Sequence, residues 1–398
     1  MRNVNSISRR SFAKLMGVGA ATAIARPRVA WASVTTPQSL SSAATALVRL
    51  NSNENPYGPS PLALKAMTDA FSLVWRYPDE HADTLLATLA KLHGVNRDQI
   101  VLGDGSGEIL KVCASAFTGP MTNDAKPIEL SKPTRGPALV FEPGRGKLIV
   151  ADPTYEAIVN HARVNRAEVA KVPLNKSYAH DLPKMLAAAE EGLVYICNPN
   201  NPTASITPKN ELRDFIDRVS PKTMILVDEA YFHYADSADF ESVIPMVKDH
   251  PNLIVARTFS KIYGMAGLRC GYCVAQPETI KKMHGFQMWD SVNIMALAAA
   301  SASLDDEAQV TNGRKMNSEA KNYTLSELEK MGHKSIPSQA NFIMFDCKKP
   351  VVPLIKAMKD KNVAVGRLFP AYPNHMRLTI GKQSEMESFV SAFKQVMA

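Results

Sequence analysis

The sequence predicts an α/β fold: a large domain on a mostly parallel sheet, followed by a smaller α+β domain. Three observations carry this. From Lys147 to His284 short apolar runs alternate with amphipathic helical stretches, the pattern of parallel strands covered on both faces. From Ser291 to about Met331 the pattern is helical with few breakers. Ser335 to Ala398 then mixes strand-like and helical segments. With 398 residues the chain also exceeds one ordinary core.

The elements follow in order. A Ser/Thr/Ala-rich link over residues 33–48 leads into Leu47-Val48-Arg49-Leu50, and Asn51 to Pro61 is too rich in Asn, Pro and Gly to be regular. Residues 49–77 are expected to form an N-terminal arm that packs with the small domain. A large domain over 78–290 and a connecting helix with the small domain over 291–398 complete the division. Helices are predicted near 61–74 and 83–93, the second ending in Lys91-Leu92-His93-Gly94, a C-cap signature. Ile100-Val101-Leu102 is a short strand running into Gly103-Asp104-Gly105-Ser106-Gly107-Glu108, where a helix to about Phe117 starts. Strands follow at Lys147–Ala151, Val169–Val172, Leu193–Cys197, Met224–Val227, Leu253–Thr258 and Leu268–Val274. Helices lie near 154–165, 181–190, 208–219 and 277–284. Asn341–Phe345 and Arg377–Ile380 are strand-like.

Composition narrows the function. The formal charge is +8, but residues 1–32 hold six Arg or Lys and no Asp or Glu, so the remainder carries only +2. That balance gives no argument for nucleic acid as a partner. Five cysteines are too few and odd in number for a disulfide framework. Cys270 and Cys273 sit three apart in a predicted strand, so they face opposite sides and cannot readily chelate one metal. The nine histidines show no metal-ligand spacing, and no metal site is expected.

Residues 1–32 read as a targeting peptide. Ser8-Arg9-Arg10-Ser11-Phe12-Ala13-Lys14 resembles the twin-arginine export signal, departing from it at Ala13. The Gly/Ala-rich stretch Leu15–Ala25 that follows is too short for a stable membrane anchor. Ala30-Trp31-Ala32 forms a small-x-small cleavage site, with cleavage expected after Ala32. The signal implies passage through the twin-arginine translocase as a folded protein, and a periplasmic location.

Four features fall at strand ends, where ligands sit in open α/β sheets. The Gly103–Gly107 turn lets backbone N–H groups approach a phosphate at a helix N-terminus, although such turns are common in strand–helix connections. Asn198-Pro199-Asn200-Asn201-Pro202-Thr203 follows a strand and holds amide side chains rigidly, and by itself is also a stiff turn. Asp228, closing an apolar strand, is costly unless paired, and a protonated pyridine nitrogen is such a partner; a helix N-cap is the plainer role. Thr258-Phe259-Ser260-Lys261, with Arg269 eight residues on, sets a nucleophilic amine beside hydroxyls and a guanidinium able to hold phosphate.

Together these resemble the fold-type-I pyridoxal-phosphate enzymes, and most closely the histidinol-phosphate aminotransferase family. Leu50–Pro61, Tyr77-Pro78-Asp79, Asp152-Pro153-Thr154-Tyr155, Ser338–Phe342 and Arg377–Gly381 match that family in order, over essentially residues 48–398. The resemblance implies pyridoxal 5′-phosphate as cofactor, an amino donor and a 2-oxo acid acceptor as substrates, and a homodimer. It implies Lys261 as the Schiff-base lysine and proton shuttle and Asp228 at the pyridine nitrogen. Asn201 and Tyr231 would face the phenolic oxygen, with Tyr155 stacked on the ring. Ser106, Gly107, Ser260 and Arg269, beside Thr258, would hold the phosphate, with Tyr57 reaching the phosphate of the neighbouring subunit. Arg377, helped by Asn341, would take the α-carboxylate, and Arg367 would line the side-chain pocket.

Three departures qualify the resemblance. Ala204 stands where the family has Gly, and its methyl disfavours positive φ, so a shifted loop is expected. Residues 120–147 form an insertion rich in Pro, Gly, Lys and Arg, expected to be a disordered surface excursion. The export signal conflicts with histidine biosynthesis in the cytoplasm, which points to a different, extracytoplasmic substrate. A decarboxylase, lyase or cyclase on this scaffold, a non-catalytic exported binding protein and an exported redox protein are the alternatives. The intact Lys261, Asp228 and Arg269 weigh against a non-catalytic protein, and the lack of Cys or His clusters against a redox one.

Overall fold

Nearly continuous apolar runs, whose side chains point in turn to the two faces, explain the central layer. The structure is a computed structural model and describes residues 47–121, 128–129, 140–141 and 144–398. The export signal, nearly all of the link after it and most of the 120–147 insertion fall outside the described residues.

The strands are β1 (Val48–Leu50), β2 (Ile100–Gly103), β3 (Ile128–Glu129), β4 (Val140–Phe141), β5 (Lys147–Asp152), β6 (Val169–Pro173), β7 (Gly192–Cys197), β8 (Thr223–Asp228), β9 (Leu253–Thr258), β10 (Gly271–Val274), β11 (Phe342–Asp346), β12 (Val363–Val365) and β13 (His375–Thr379). Seven form one sheet in the order β2-β10-β9-β8-β7-β5-β6. All its pairs are parallel except those of β10, which runs antiparallel to β9 and β2. Leu193, Tyr195 and Cys197 of β7 join one buried cluster, while Val194 and Ile196 join the other. Both faces are therefore core, as expected of a parallel sheet covered on both sides. Each large aliphatic side chain buried there contributes roughly 1.5–3 kcal/mol.

Eleven helices are present among the described residues: α1 (Pro61–Ala70), α2 (Asp79–His93), α3 (Gly105–Phe117), α4 (Ala157–Val164), α5 (Leu182–Ala188), α6 (Lys209–Arg218), α7 (Pro277–His284), α8 (Ile294–Leu304), α9 (Glu307–Lys330), α10 (Val351–Asp360) and α11 (Gln383–Met397). Local chemistry sets their ends. Ser60 Oγ accepts from Ala63 N at the start of α1, with Pro61 at its first position. Gly94, at φ 64°, closes α2 as the Lys-Leu-His-Gly signature predicts. The long helical region after Ser291 is two helices, because Asp306 caps Gln309 N and starts α9 afresh.

A third cluster packs β11, β12 and β13 with α9, α10 and α11, around Phe345, Phe389 and Phe393. β1 adds to it by pairing in parallel with β12, and Leu50 is buried there. The insertion leaves and returns at one point, where Gly119 N donates to Gly146 O at 3.0 Å.

Two expectations are corrected. The run Leu268–Val274 is not one strand: β10 begins at Gly271, because Arg269 takes a left-handed backbone at φ 62°. Ala204 does not shift the loop away from positive φ. It adopts φ 60°, and its buried methyl packs with Tyr231, Ala340 and Phe342, which offsets a left-handed cost of about 1–2 kcal/mol.

Candidate active site

The carboxyl ends of β2, β5, β7, β8 and β9 meet at one edge of the sheet, and the antiparallel β10 brings its start to the same edge. This places Lys261, Asp228 and Arg269 together although their chain positions differ. A cavity of about 320 Å³ opens there, lined by Ser106, Gly107, Tyr155, Asn201, Asp228, Tyr231, Thr258, Ser260, Lys261, Arg269, Arg367 and Arg377 among others. A larger cavity of about 1210 Å³ lies along Leu86, Phe286, Met288 and Trp289, and none of the candidate cofactor- or substrate-binding residues lines it.

At one end the groups are built for an anion. Ser106 and Gly107 open α3, whose first backbone N–H groups have no helical partner. Arg269 Nη1 donates to Ala266 O at 2.9 Å and lies 3.4 Å from Ser260 Oγ, and Nη2 donates to Asp104 O at 3.3 Å. Among the described residues, only carbonyls and a hydroxyl meet this guanidinium. Ser260 N in turn donates to Thr258 Oγ1 at 3.1 Å. Gly105, at φ 71°, leaves the space: a methyl there would lie 2.1 Å from Arg269 Nη2.

Asp228 ends β8 buried. Its Oδ2 accepts from the Tyr195 hydroxyl at 2.9 Å and its Oδ1 from Ala230 N at 3.1 Å. Burial pushes its carboxyl up to about 6, and the Tyr195 hydrogen bond opposes that rise. Both partners are neutral, so a cation above the carboxylate would complete the pairing.

Lys261 donates from Nζ to Asn53 O at 3.1 Å. Burial, and then the charge of Arg377, lower its amine to about 8. A lysine so poised is a nucleophile near neutral pH. Tyr231 closes the wall behind it, its hydroxyl accepting from Asn53 Nδ2 at 3.1 Å and Asn201 Nδ2 at 3.4 Å.

Arg377 Nη1 donates to Asn201 Oδ1 at 2.8 Å and Nη2 to Asn51 O at 2.7 Å. Its Nε is buried without a partner, as is Asn341 Oδ1. Asn341 Nδ2 donates to Asn53 O and Glu54 O, so the asparagine braces the loop that also holds Lys261. Tyr57 is not brought into this cavity; it stands 40% exposed, and Lys382 Nζ lies 5.8 Å from its ring centroid.

Three residues that the sequence does not single out belong to the site. Tyr195 holds Asp228. Asn53, at φ 54°, gathers Lys261, Asn341 and Tyr231 and exchanges hydrogen bonds with Thr379. Glu156 reaches the Arg367 guanidinium at 2.6 Å. Only the Asn-Glu-Asn-Pro stretch gave any signal, for Asn53.

A mostly parallel sheet whose strand ends gather a depressed lysine, a buried acid and an arginine-lined phosphate cradle defines a fold-type-I pyridoxal-phosphate enzyme. The groups fit that cofactor: an amine for its carbonyl, an acid for its ring nitrogen, and donors for its phosphate.

Residues 45–393 match the family described as aminotransferase class I and II, and the chain belongs to it. A histidinol-phosphate aminotransferase of Moorella thermoacetica is 36% identical over 357 residues, covering 88% of this chain and 86% of that relative. Histidinol-phosphate aminotransferase 2 of Pseudomonas fluorescens is 35% identical over 356 residues, covering 88% and 89%. The Sinorhizobium meliloti histidinol-phosphate aminotransferase, solved in complex with pyridoxal-5′-phosphate, shares the fold with a TM-score of 0.75 at 24% identity, covering 88% of this chain and 90% of that one. The chain is a pyridoxal-phosphate-dependent aminotransferase.

Proposed function

We propose that this chain transfers an amino group outside the cytoplasm, as a homodimer, from a donor other than histidinol phosphate. The observation that carries the chemistry is the convergence of Lys261, Asp228, Arg269 and Arg377 on one cavity. The twin-arginine motif around Arg9-Arg10 supports the location. The 40% exposure of Tyr57 outside the cavity supports its reaching a neighbouring subunit.

When bound, pyridoxal phosphate supplies a carbonyl for the amine and a ring that draws electrons from the carbon losing its proton. Arg269, Ser260, Ser106 and Gly107 would hold its phosphate, with Thr258 behind Ser260, and Tyr57 would reach the phosphate of the neighbouring subunit. Asp228 would keep the ring nitrogen protonated, Asn201 and Tyr231 would serve the phenolic oxygen, and Tyr155 would lie against the ring. Arg377 and Asn341 orient the substrate α-carboxylate, while Arg367 lies at the side-chain end. Lys261 would anchor the cofactor covalently at rest. Once the substrate amine has displaced it, its freed amine would take the proton from the substrate Cα and deliver it to the carbon that had carried the cofactor carbonyl.

One preparation tests the proposal. The full chain is expressed in a bacterium with a twin-arginine translocase, and the mature protein is recovered from the periplasmic fraction. It should elute at twice the chain mass. Amino donors added alone should shift the cofactor absorbance stoichiometrically, and a 2-oxo acid should restore it. Cytoplasmic retention of the folded chain would refute the location, a monomer the dimer, and a strong preference for histidinol phosphate the substrate. Turnover without a stoichiometric half-reaction would favour a decarboxylase or lyase.

A further inference from the structure

Four basic and two acidic side chains line the cavity: Lys261, Arg269, Arg367 and Arg377, against Asp228 and Glu156. Under the proposed function, Arg269 is matched by the cofactor phosphate, Asp228 by the ring nitrogen, and Lys261 is consumed in the covalent link. Arg377 and Arg367 remain for the substrate.

These two arginines share a phenyl ring and differ in their charge balance. Their guanidinium carbons lie 5.2 Å and 4.4 Å from the Phe369 centroid. Among the described residues, Arg377 is met only by neutral acceptors, Asn201 Oδ1 and Asn51 O. Its charge is free to bind an incoming carboxylate. Arg367 is already neutralised, with Nη2 2.6 Å from Glu156 Oε2 and Nη1 bonded to Leu368 O at 3.0 Å. Glu156 occupies the N-cap position of α4, yet makes no cap hydrogen bond with its side chain. It instead crosses to a residue 211 positions away. The loop that carries it is fixed, because Thr154 Oγ1 donates to Asn200 Oδ1 at 2.9 Å.

We propose that Glu156 is a specificity-determining residue: by neutralising Arg367 it makes the side-chain end of the cavity select substrates whose side chain carries no anion. A substrate carboxylate or phosphate arriving there must first displace the Glu156 carboxylate. An uncharged side chain lies against Phe369 with the pair intact. This rests on the proposed placement of the α-carboxylate at Arg377.

The test compares Glu156→Gln with the native holoenzyme. Unreactive analogues separate binding from turnover: glutarate carries a second carboxylate at the side-chain end, and 3-phenylpropionate carries a phenyl. Both partners of the pair are about half exposed, with side-chain accessibilities of 55% and 52%, so the expected effect is modest. By calorimetry, Glu156→Gln should tighten glutarate over 3-phenylpropionate by about fivefold. The ratio of kcat/KM for glutamate to that for phenylalanine, read in the half-reaction, should rise by a similar factor. Arg367→Gln should weaken glutarate by leaving Glu156 unpaired, and adding Glu156→Gln should relieve only that repulsion, leaving glutarate weaker than in Glu156→Gln alone. Equal changes for both analogues, no change in either, or glutarate binding as tight in the double variant as in Glu156→Gln alone would overturn the proposal. A protein that binds the analogues as stated but aminates its cofactor with no donor would instead refute the proposed function.

Discussion

Replacing Tyr195 with Phe removes a hydroxyl and changes almost nothing else, because the ring stays packed inside β7. That hydroxyl donates to Asp228 Oδ2 at 2.9 Å, and both residues are buried. A hydrogen bond to an ionised group contributes about 1.5–3 kcal/mol and one to a neutral group about 0.5–1.5 kcal/mol. The midpoints differ by about 1.3 kcal/mol, close to one pKa unit. The Asp228 carboxyl is held at about 6 in the native fold, above the ordinary 3.8. In the variant it should rise to about 7. A carboxyl raised on folding contributes stability that is complete below its unfolded pKa and is lost as pH rises through its folded pKa. In the native apoprotein that loss runs from about pH 4 to about pH 6, and in the variant it should continue to about pH 7. Urea unfolding of the two apoproteins at pH 5 and at pH 8 reads the difference. The variant should be less stable by about 1 kcal/mol at pH 5 and by about 2–2.5 kcal/mol at pH 8. A deficit equal at both pH values would refute a Tyr195 bond to an ionised Asp228.

Two further outcomes follow from the same cavity. Gly105→Ala should weaken pyridoxal phosphate at least tenfold in an absorbance titration of the apoenzyme, since its methyl would strike Arg269 Nη2 and a charge-assisted contact is worth about 1.5–3 kcal/mol; unchanged affinity would remove Arg269 from the phosphate site. Covalent capture of pyridoxal phosphate by the apoenzyme should quicken about tenfold per pH unit below pH 7 and level off above the depressed Lys261 value of about 8, whereas a plateau only beyond pH 10 would mean that the amine is not the buried one.

The sheet was legible because a strand buried on both faces is a nearly continuous apolar run, as Leu193–Cys197 and Leu253–Ala256 are. Lys261, Asp228 and Arg269 were legible for the converse reason: each is a charge at or beyond the end of such a run. Tyr195 was not, because a tyrosine within an apolar run reads as core, and only the pairing of β7 with β8 brings it to Asp228. Asn53 lies in irregular chain, and its bonds to Tyr231 and Thr379 span 178 and 326 positions. No local pattern encodes contacts at that separation. β12, three residues long, is a strand because β1 and its own core neighbours make it one. The false strand start at Leu268 has the same origin: periodicity sees apolar residues but not the left-handed turn at Arg269.

Neighbouring charges in this fold separate into two kinds without appeal to any relative. Glu229 follows Asp228 directly, and both are buried. Glu229 accepts from Arg257 Nε at 3.0 Å and Nη2 at 2.8 Å, from Ser242 Oγ and from Val243 N. Every demand of that carboxylate is met within the protein, so removing either partner would strand a buried charge. Asp228 receives one phenol and one backbone N–H, neither of them cationic. Arg257 and Arg377 divide in the same way, the first held by a carboxylate and the second by an amide and a carbonyl. The completed Glu229–Arg257 pair lies outside the cavity lining, whereas Asp228 and Arg377 lie on it. A buried charge left short of a counter-ion raises the energy of the empty protein, and that energy is recovered only when a ligand of opposite charge arrives. The cavity therefore specifies its occupant by what it lacks: a cation over Asp228 and anions at Arg269 and Arg377.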